Sequence, residues 1–523
     1  MKRRRLQALS IHTRRGMGNM LKRANQLLAT ASDWIRTVLL AAATNEMLFF
    51  FAAFLLPAVL NTELFRWYSE QVEAYGSMIV VPWGMALCLY RLGRRSGIRG
   101  EAQRADIAVL FVLLGWIVVP FWIRYGLTES NVSSWVGHAT VYFALYAMTS
   151  EESSKRREEL FDQVCAMFCA LSLLLGGALL WCAWNSAWID ADWVVHYGAC
   201  AGDRFRFGVY QLSQLCDGKH YNNTGMTALC CAMFCLAGAQ RGKKVWTRAL
   251  HLAAAVAMMI VIVLTQSRTA RYALIAALGV GVYGRLAASR RIPHMLIRHA
   301  VSLLLAVVFM AASYVGASEL TDAALVHYAE HGQRVHSSII RGAVAQEEEE
   351  TQEAAVQNEA AEGEGAAVQP MKARGAGDKT FTARTTIWGG LIEFWKQNPK
   401  YMIIGMGADR VGWLVADLLD WPVYGLLSMH NAYLQFMGDY GAIGMALLVA
   451  FLLTVAPSVL RVFFAAGEKR KPGYNAMCML VVGILLTGLM ENQPLLSMTE
   501  INMSLFVALA LLAARGNELK REN

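Results

Sequence analysis

The sequence predicts an all-α polytopic membrane protein with about twelve transmembrane helices and one large external loop that carries amphipathic helices. Of the 523 residues, 56% are hydrophobic and 17% are charged, and the mean hydropathy is +0.35. A soluble chain of this length carries more charge. Repeated stretches of about 17 to 25 nearly uncharged residues can each cross about 30 Å of hydrocarbon as a helix. The net charge of +9 is therefore interpreted through membrane topology, and it does not indicate nucleic-acid binding.

The apolar stretches divide the chain into spans and polar segments. Residues 1–38 are basic and lack the apolar core and cleavage site of a signal peptide, so we expect a retained cytoplasmic segment. The twelve predicted spans are 39–60, 76–91, 106–124, 132–149, 161–184, 223–240, 247–265, 270–286, 299–317, 435–460, 474–490 and 498–514. The predicted regions are therefore transmembrane helices 1–9 within 39–317, a large external loop at 318–430, helices 10–12 within 431–514 and a cytoplasmic tail at 515–523.

Positive charge orients these spans. Cytoplasmic loops are enriched in Lys and Arg, and with the N-terminus inside, the five loops predicted to be cytoplasmic are the basic ones. Their basic residues are Arg91, Arg94, Arg95, Arg99, Arg104, Lys155, Arg156, Arg157, Arg241, Lys243, Lys244, Arg248, Arg285, Arg290, Arg291, Arg298, Arg461, Lys469, Arg470 and Lys471. An even number of spans returns the C-terminus to the cytoplasm. The polar segments at about 185–222, 266–269 and 318–430 are then expected on the outer side of the cytoplasmic (inner) membrane.

The external segment 185–222 contains two cysteines, Cys200 and Cys216. A disulfide between them and two free thiols are both consistent with an exported loop. His196 and His220 flank these cysteines with three residues between each pair, which also resembles zinc-ligand spacing. We nevertheless predict no metal site, because the connecting segment has no other feature of one.

The short turn at 266–269 carries two arginines, Arg268 and Arg271, at its mouth. Positive charge on the outer side of a tight membrane hairpin costs free energy unless the side chains snorkel to the interface or bind an anion. Snorkelling would explain either arginine alone. Two arginines together favour an anion-binding site.

The large loop is predicted to contain an amphipathic helix at 320–342 and then a low-complexity acidic insert near 343–376. The insert is rich in Ala, Glu, Gln and Gly, and it cannot bury enough apolar surface to fold alone. We therefore expect it to be disordered and dispensable for chemistry.

Order is predicted to resume near Thr380, where Thr382 can cap a helix that ends before Pro399. The apolar face of this helix is predicted to be Ile387, Leu391, Ile392 and Trp395. Arg384 falls in the first turn, where a cation beside free backbone N–H groups can bind an anion. A structural salt bridge is the alternative interpretation of Arg384.

A histidine and an asparagine, His430 and Asn431, stand where the predicted tenth span begins. Tyr433 and Leu434 follow at once. A polar pair at the mouth of a membrane helix is either an interfacial feature or part of a working site. Its position on the same predicted face as Arg268 favours a working site.

Four short motifs follow one another at the predicted outer face. They are Thr265-Gln266-Ser267-Arg268, Arg384-Thr385-Thr386-Ile387-Trp388, Gly405-Met406-Gly407, and His430-Asn431-Ala432-Tyr433-Leu434 ahead of Gly438 and Gly441-Ala442-Ile443-Gly444. In this order they resemble the O-antigen ligase / O-antigen polymerase superfamily. Arg206-Phe207-Gly208 and Asn222-x-x-Gly225 resemble a weaker pattern of the same family.

The resemblance implies a GT-C-like membrane glycosyltransferase that moves a glycan from a polyprenyl-diphosphate carrier to an acceptor hydroxyl on the outer face. It also implies inverting, metal-independent chemistry with no cofactor. Arg268 and Arg384 would match the arginines that hold the diphosphate, with Arg271 assisting, and His430 would match the essential histidine. The acidic insert and Arg271 are departures from the family pattern, so the pattern leaves open which hairpin arginine faces the substrate.

The residue types suit this chemistry independently. A lipid diphosphate is already a good leaving group, and arginine can stabilise its developing charge bidentately without losing a proton. A neutral histidine can take the proton of the acceptor hydroxyl or orient that group. The candidates for further substrate binding are Arg206, Asn222, Asn431 and Tyr433. Expected partners are the lipid-linked glycan donor, a glycan, lipid or protein acceptor, and membrane lipids.

Two other protein classes stay open from the sequence. A multispan transporter or flippase of lipid-linked glycans would need no covalent chemistry, and Glu491 and Glu500, near the predicted outer face, suit either class. A scaffold whose long loop binds a partner is the third class. Within the enzyme class, ligase and polymerase differ only in the acceptor, which is a lipid A core, a growing polysaccharide, a wall polymer or a protein.

Overall fold

The computed structural model is helical over nearly all of the residues it describes. These residues are 105–125, 154–185, 187–189, 195–197, 221–265, 267–289, 294–351, 380–407, 429–491 and 500–522, with single residues Phe49, Trp83, Gly84, Leu87, Leu145, Tyr146, Thr149 and Val411. Their helices are α1 Ala105–Tyr125, α2 Ser154–Asn185, α3 Tyr221–Arg241, α4 Val245–Leu264, α5 Arg268–Ala287, α6 Met295–Thr351, α7 Thr380–Gln397, α8 Pro399–Ile404, α9 Ala432–Phe463, α10 Tyr474–Thr487 and α11 Glu500–Glu522. Two three-residue strands, β1 Ala187–Ile189 and β2 Val195–Tyr197, pair antiparallel between α2 and α3.

Four helices are long and apolar enough to cross a membrane. They are the segments Ser154–Trp181, Val245–Leu264, Met295–Ala323 and Ala432–Phe463. The apolar helices Ala105–Pro120 and Tyr474–Thr487 are shorter. The all-helical class and the membrane character are thus confirmed in the described residues, apart from the small hairpin. The predicted spans at 39–60, 76–91 and 132–149 lie, except for single residues, outside the described part of the chain, and the count of twelve stays a prediction.

Helix α6 does not end where its apolar sequence ends. The ninth span was predicted to stop at residue 317, but the helix continues to Thr351 and so includes the start of the acidic insert. Ala, Glu and Gln have high helix propensity, which explains why a segment with little apolar surface continues the helix. The rest of the insert, at 352–376, lies outside the described residues.

The bundle is assembled from closely packed helix pairs. Helix α4 packs against α3, α6 packs against α5, and α10 packs against both α3 and α5, while α9 lies between α1 and α11. Small residues bring the helices close together: Gly225 of α3 lies against Ala270 of α5, and Gly483 of α10 lies near Ala277. Close backbone approach through small residues is the usual basis of helix association in a membrane.

One end of the bundle is closed by ion pairs. Glu158 accepts hydrogen bonds from Arg241 at 2.6 Å, Lys471 at 2.9 Å and the Tyr474 hydroxyl at 3.0 Å. Lys471 also lies 3.7 Å from Glu518. This end contains the loops that were predicted to be cytoplasmic from their basic residues. Helices α3 and α4 and helices α9 and α10 connect here, so their other ends lie at the opposite face of the bundle.

Helix α8 joins α9 through direct backbone contact at the Gly405-Met406-Gly407 motif. The Met406 N–H donates to the Gly438 carbonyl at 3.0 Å, and the Gly407 N–H donates to the Asp439 carbonyl at 2.8 Å. These bonds hold the end of α8 against the first turns of α9.

Gly441 interrupts α9 with a backbone conformation of φ 70° and ψ −178° that only glycine adopts readily. A Cβ here would also meet the backbone of Ile403 and Gly405. We expect Gly441→Ala to lower the free energy of unfolding by about 2–4 kcal/mol, measured by SDS-induced unfolding in detergent. Gly177→Ala in α2 is the matched control, because a Cβ there meets nothing within 4 Å. Equal stability of the two variants would contradict this account.

Candidate active site

The candidate site lies at the end of the bundle opposite the ion pairs, where α3, α5 and α9 begin and α10 ends. Its centre is the carboxylate of Glu491, which follows α10 and is 6% exposed. Glu491 Oε1 accepts from Arg384 Nη2 at 3.0 Å and from Thr269 Oγ1 at 3.1 Å. Glu491 Oε2 lies 3.9 Å from His430 Nδ1. Three predicted segments, the hairpin before α5, the start of α7 and the His430 motif, therefore converge on one acidic side chain.

The turn before α5 is held by its own hydroxyl groups. Ser267 is the N-cap: its Oγ accepts from the Ala270 N–H at 3.2 Å and donates to Asn222 Oδ1 at 2.7 Å. Thr265 Oγ1 donates to the Ile262 carbonyl at 2.7 Å. N-capping of this kind stabilises a helix start by about 1 kcal/mol. Asn222, a predicted substrate-binding candidate, is thus buried beside α5 and supports the turn that presents Arg268.

The two hairpin arginines have different surroundings. Arg268 is the first residue of α5 and stands next to Thr269, which contacts Glu491. The Arg271 guanidinium instead lies 5.8 Å from the ring centroid of Tyr314 in α6. Residues three apart lie on the same side of a helix, so both arginines stand at the outer end of α5. Arg271 has its partner in α6, whereas Arg268 directly precedes the residue that contacts Glu491.

Arg384 is positioned by α7, which begins at Thr380, two residues before the predicted cap Thr382. The side chain of Arg384 is 15% exposed and forms the ion pair with Glu491, so the salt bridge considered from the sequence is present. The apolar face of α7 is partly different from the prediction. Ile392 is 51% exposed, and Phe394 is buried in its place.

The buried side chains of α7 pack in a separate apolar cluster with Met406, Val411 and Met429. Trp388, at the edge of this cluster, donates from Nε1 to the Met429 carbonyl at 2.8 Å. This bond attaches α7 to the residue directly before His430. Arg384 and His430 are therefore linked in two ways, through the bond between Trp388 and Met429 and through Glu491.

His430 has a left-handed backbone, with φ 46°, and among the described residues no other non-glycine residue has positive φ. The next residue, Asn431, caps α9: its Oδ1 accepts from the N–H groups of Tyr433 and Leu434, both at 3.0 Å. Its Nδ2 donates to the Leu489 carbonyl at 3.1 Å. Asn431 thus ties the start of α9 to the end of α10, and His430 lies between this cap and the buried Met429.

Tyr433 strengthens the same junction. Its hydroxyl donates to the Leu485 carbonyl at 2.6 Å, and the Ala432 N–H donates to the Gly488 carbonyl at 2.7 Å. Both contacts are made to the last turn of α10, a few residues before Glu491. The distance between His430 and Glu491 is therefore set by a short, hydrogen-bonded connection.

Several sequence predictions fall outside the described residues. Arg206, Cys200 and Cys216 are among these, so the substrate role of Arg206 and the disulfide stay predictions. Within the described residues, no group of three or more His, Cys, Asp or Glu side chains is arranged to hold a metal ion.

Glu491 is the site residue to which sequence reasoning assigned no specific role. The sequence places it just beyond an apolar span, near the same predicted face as His430. An acidic residue at that position signals a partner, because a carboxylate at a membrane helix end is costly without one. Which partner it has depends on helices that are distant in sequence.

The fold and this cluster define a helical membrane protein with an arginine- and histidine-containing polar site at one end of its bundle. Residues 253–449 match the sequence model of the O-antigen ligase family, a segment that contains Arg268, Arg384 and His430. This segment is therefore an O-antigen ligase domain, and the resemblance noted from the motifs within it is confirmed. Glu491 lies beyond the matched segment. A comparison with curated proteins gave no match.

Replacing Glu491 by glutamine tests whether its charge holds the site together. The change keeps the size of the side chain but leaves the largely buried Arg384 without its anionic partner. We expect the free energy of unfolding to fall by about 1–3 kcal/mol. Glu393→Gln is the control, because Glu393 forms an exposed ion pair with Lys396 and its loss should change the free energy of unfolding far less. SDS-induced unfolding measures both, and equal losses would contradict a central role for Glu491.

Proposed function

We propose that this protein is a membrane glycosyltransferase that moves a glycan from a polyprenyl-diphosphate carrier to an acceptor hydroxyl on the outer face of the cytoplasmic membrane. The observation that carries the proposal is the convergence of Arg384 and His430 on Glu491, with distances of 3.0 Å and 3.9 Å, inside and beside an O-antigen ligase domain. An anionic leaving group requires a cation such as arginine, and a hydroxyl nucleophile requires a base such as histidine.

Arg268 and Arg384 are assigned to the diphosphate of the donor. Arg384 uses one terminal nitrogen, Nη2, for Glu491, and a guanidinium has further N–H donors in the same plane. Those donors can bind phosphate oxygens while Glu491 keeps the side chain in place. The bound arginines stabilise the negative charge that develops on the diphosphate as its bond to the sugar breaks.

His430 is assigned to the acceptor hydroxyl. Its Nδ1 faces the Glu491 carboxylate, which favours the proton on Nδ1 and leaves Nε2 as the basic nitrogen. The separation of 3.9 Å is longer than a hydrogen bond, as is common for catalytic contacts before substrate binds. As the acceptor oxygen attacks the anomeric carbon, its proton passes to Nε2, and the diphosphate leaves with the electrons of the broken bond. This single displacement inverts the anomeric configuration.

The distribution of basic residues supports the placement of the site at the outer face of the membrane. The ion-paired end of the bundle carries Arg241 and Lys471 in loops that are rich in basic residues, and such loops stay in the cytoplasm. The Glu491 cluster lies at the other end. A donor whose glycan is displayed outside the membrane would meet the site there.

His430→Ala is expected to abolish glycan transfer while membrane insertion stays normal, because it removes the base. Loss of a general base lowers rates by about 100- to 10,000-fold. The measurement is the formation of new glycosidic bonds in membranes supplied with lipid-linked glycan. His294→Ala, at an exposed histidine before α6, is the control and should keep full activity.

Full activity of His430→Ala would remove this histidine from the mechanism. Movement of glycan across the membrane with no new glycosidic bond in the wild-type protein would instead identify a transporter. The acceptor class follows from the same assay when a lipid A core, a polysaccharide, a wall polymer and a protein are offered in turn.

Lysine substitutions separate the roles of the arginines. Arg268→Lys and Arg384→Lys keep the positive charge but lose bidentate binding, and we expect kcat/KM for the donor to fall by about 10- to 100-fold. Arg271→Lys should lower it by less than about threefold, because Arg271 packs over Tyr314 and a lysine keeps a cation over the same ring. Arg285→Lys, at the opposite end of α5, is the control. A larger loss for Arg271→Lys than for Arg268→Lys would reverse the two assignments.

A further inference from the structure

A buried polar pair lies in α9 directly behind His430 and is not used by the proposed chemistry. Gln435 is 1% exposed and Asp439, one helical turn later, is 3% exposed. Gln435 Nε2 lies 3.1 Å from Asp439 Oδ1 and 3.0 Å from Oδ2. On its other side, Gln435 Oε1 accepts from the Met429 N–H at 3.1 Å. The pair thus reaches from α9 back to the residue that precedes His430.

The partners of Gln435 determine which way its amide points. A carboxylate accepts hydrogen bonds, so Asp439 requires the NH₂ group of the amide, whereas the Met429 N–H requires the oxygen. One orientation of the Gln435 amide meets both requirements. If the amide were flipped, its oxygen would face the carboxylate and its NH₂ group would face the Met429 N–H, and neither contact would be a hydrogen bond. Asp439 therefore holds the Gln435 oxygen toward Met429.

This orientation matters because His430 has an unfavourable backbone conformation. A non-glycine residue in the left-handed region costs about 1–2 kcal/mol, and it persists where its surroundings determine it. Met429 is fully buried, its N–H is bound by Gln435 and its carbonyl by Trp388. With both backbone groups of Met429 occupied, and Asn431 held as the helix cap, His430 has little freedom to leave its conformation.

Burying an amide and a carboxylate in a membrane-crossing helix costs free energy that two apolar side chains would not cost. Packing alone therefore does not account for the pair. The hydrogen bond from Met429 is the contact of Gln435 that reaches beyond its own helix, and it leads to His430.

We propose that Gln435 and Asp439 are positioning residues for His430. Asp439 orients the amide of Gln435, Gln435 holds Met429, and this fixes the left-handed turn that directs the imidazole at Glu491. The inference rests on the proposed role of His430 as the base, and it adds residues that act through His430 without touching the substrate.

The test exchanges the amide and the carboxylate between positions 435 and 439. Gln435→Glu alone places two carboxylates together, and Asp439→Asn alone removes the charge that orients the amide. The double variant Gln435→Glu/Asp439→Asn restores the pattern in reverse, because the carboxylate at position 435 can accept from both Met429 and the amide at position 439. Ser458→Ala, at another buried polar residue of α9 that bonds Asn517, is the matched control.

We expect Gln435→Glu to lower kcat by about 10- to 100-fold, since small misplacements of a catalytic group have effects of this size. The KM for the donor should change by less than about threefold, because the arginines are untouched. The double variant should recover kcat to within about threefold of wild type. Ser458→Ala should change the unfolding midpoint but not kcat. Wild-type kcat per folded molecule in Gln435→Glu, or a double variant as slow as Gln435→Glu, would overturn the proposal.

A second measurement does not depend on activity. In protein with isotope-labelled histidine, the His430 imidazole resonance, identified by its loss in His430→Ala, should shift in Gln435→Glu and return in the double variant. An unchanged resonance in Gln435→Glu overturns the positioning role even if the wild-type protein forms no glycosidic bond. Absence of transfer by the wild-type protein, in contrast, rejects the proposed function alone.

Discussion

The buried carboxylate of Glu491 is the group on which the rest of the site depends. A charged side chain that is 6% exposed is stable only when partners replace its lost hydration. Three separate elements supply them: Arg384 comes from α7, Thr269 from α5, and His430 from the turn before α9. One acidic side chain therefore specifies where three segments meet, and it holds an arginine and a histidine close enough to act on one substrate.

The two ends of the bundle use charge differently. At the end with the basic loops, Glu158 is surrounded by Arg241 and Lys471, and these charges mainly neutralise each other. At the other end, Arg384 and His430 both face Glu491. Arg268 begins α5 directly before Thr269, which contacts the same carboxylate. Arg268, Arg384 and Glu491 together carry one net positive charge, which suits an anionic donor of the kind proposed.

Parts of this fold and site were predictable because their causes are local. Apolar runs predict spans, the hydroxyl of Ser267 caps the helix that follows it, and the order of the arginines and His430 indicates the O-antigen ligase domain. One helix boundary differed. Helix α6 runs without a break from the ninth predicted span through the amphipathic helix predicted at 320–342 and into the acidic insert, because helix propensity, which hydropathy does not measure, governs the segment that follows.

The sequence by itself determined the helical membrane class, the O-antigen ligase domain and the residue types of the candidate site, because hydropathy, loop charge and short motifs act along the chain. Tertiary structure decided which residues meet. It turned Arg271 toward Tyr314, paired Arg384 with Glu491, and placed Gln435 behind the backbone of His430. These outcomes depend on helix packing and on the requirement that each buried polar group find a partner, and both are properties of the assembled bundle.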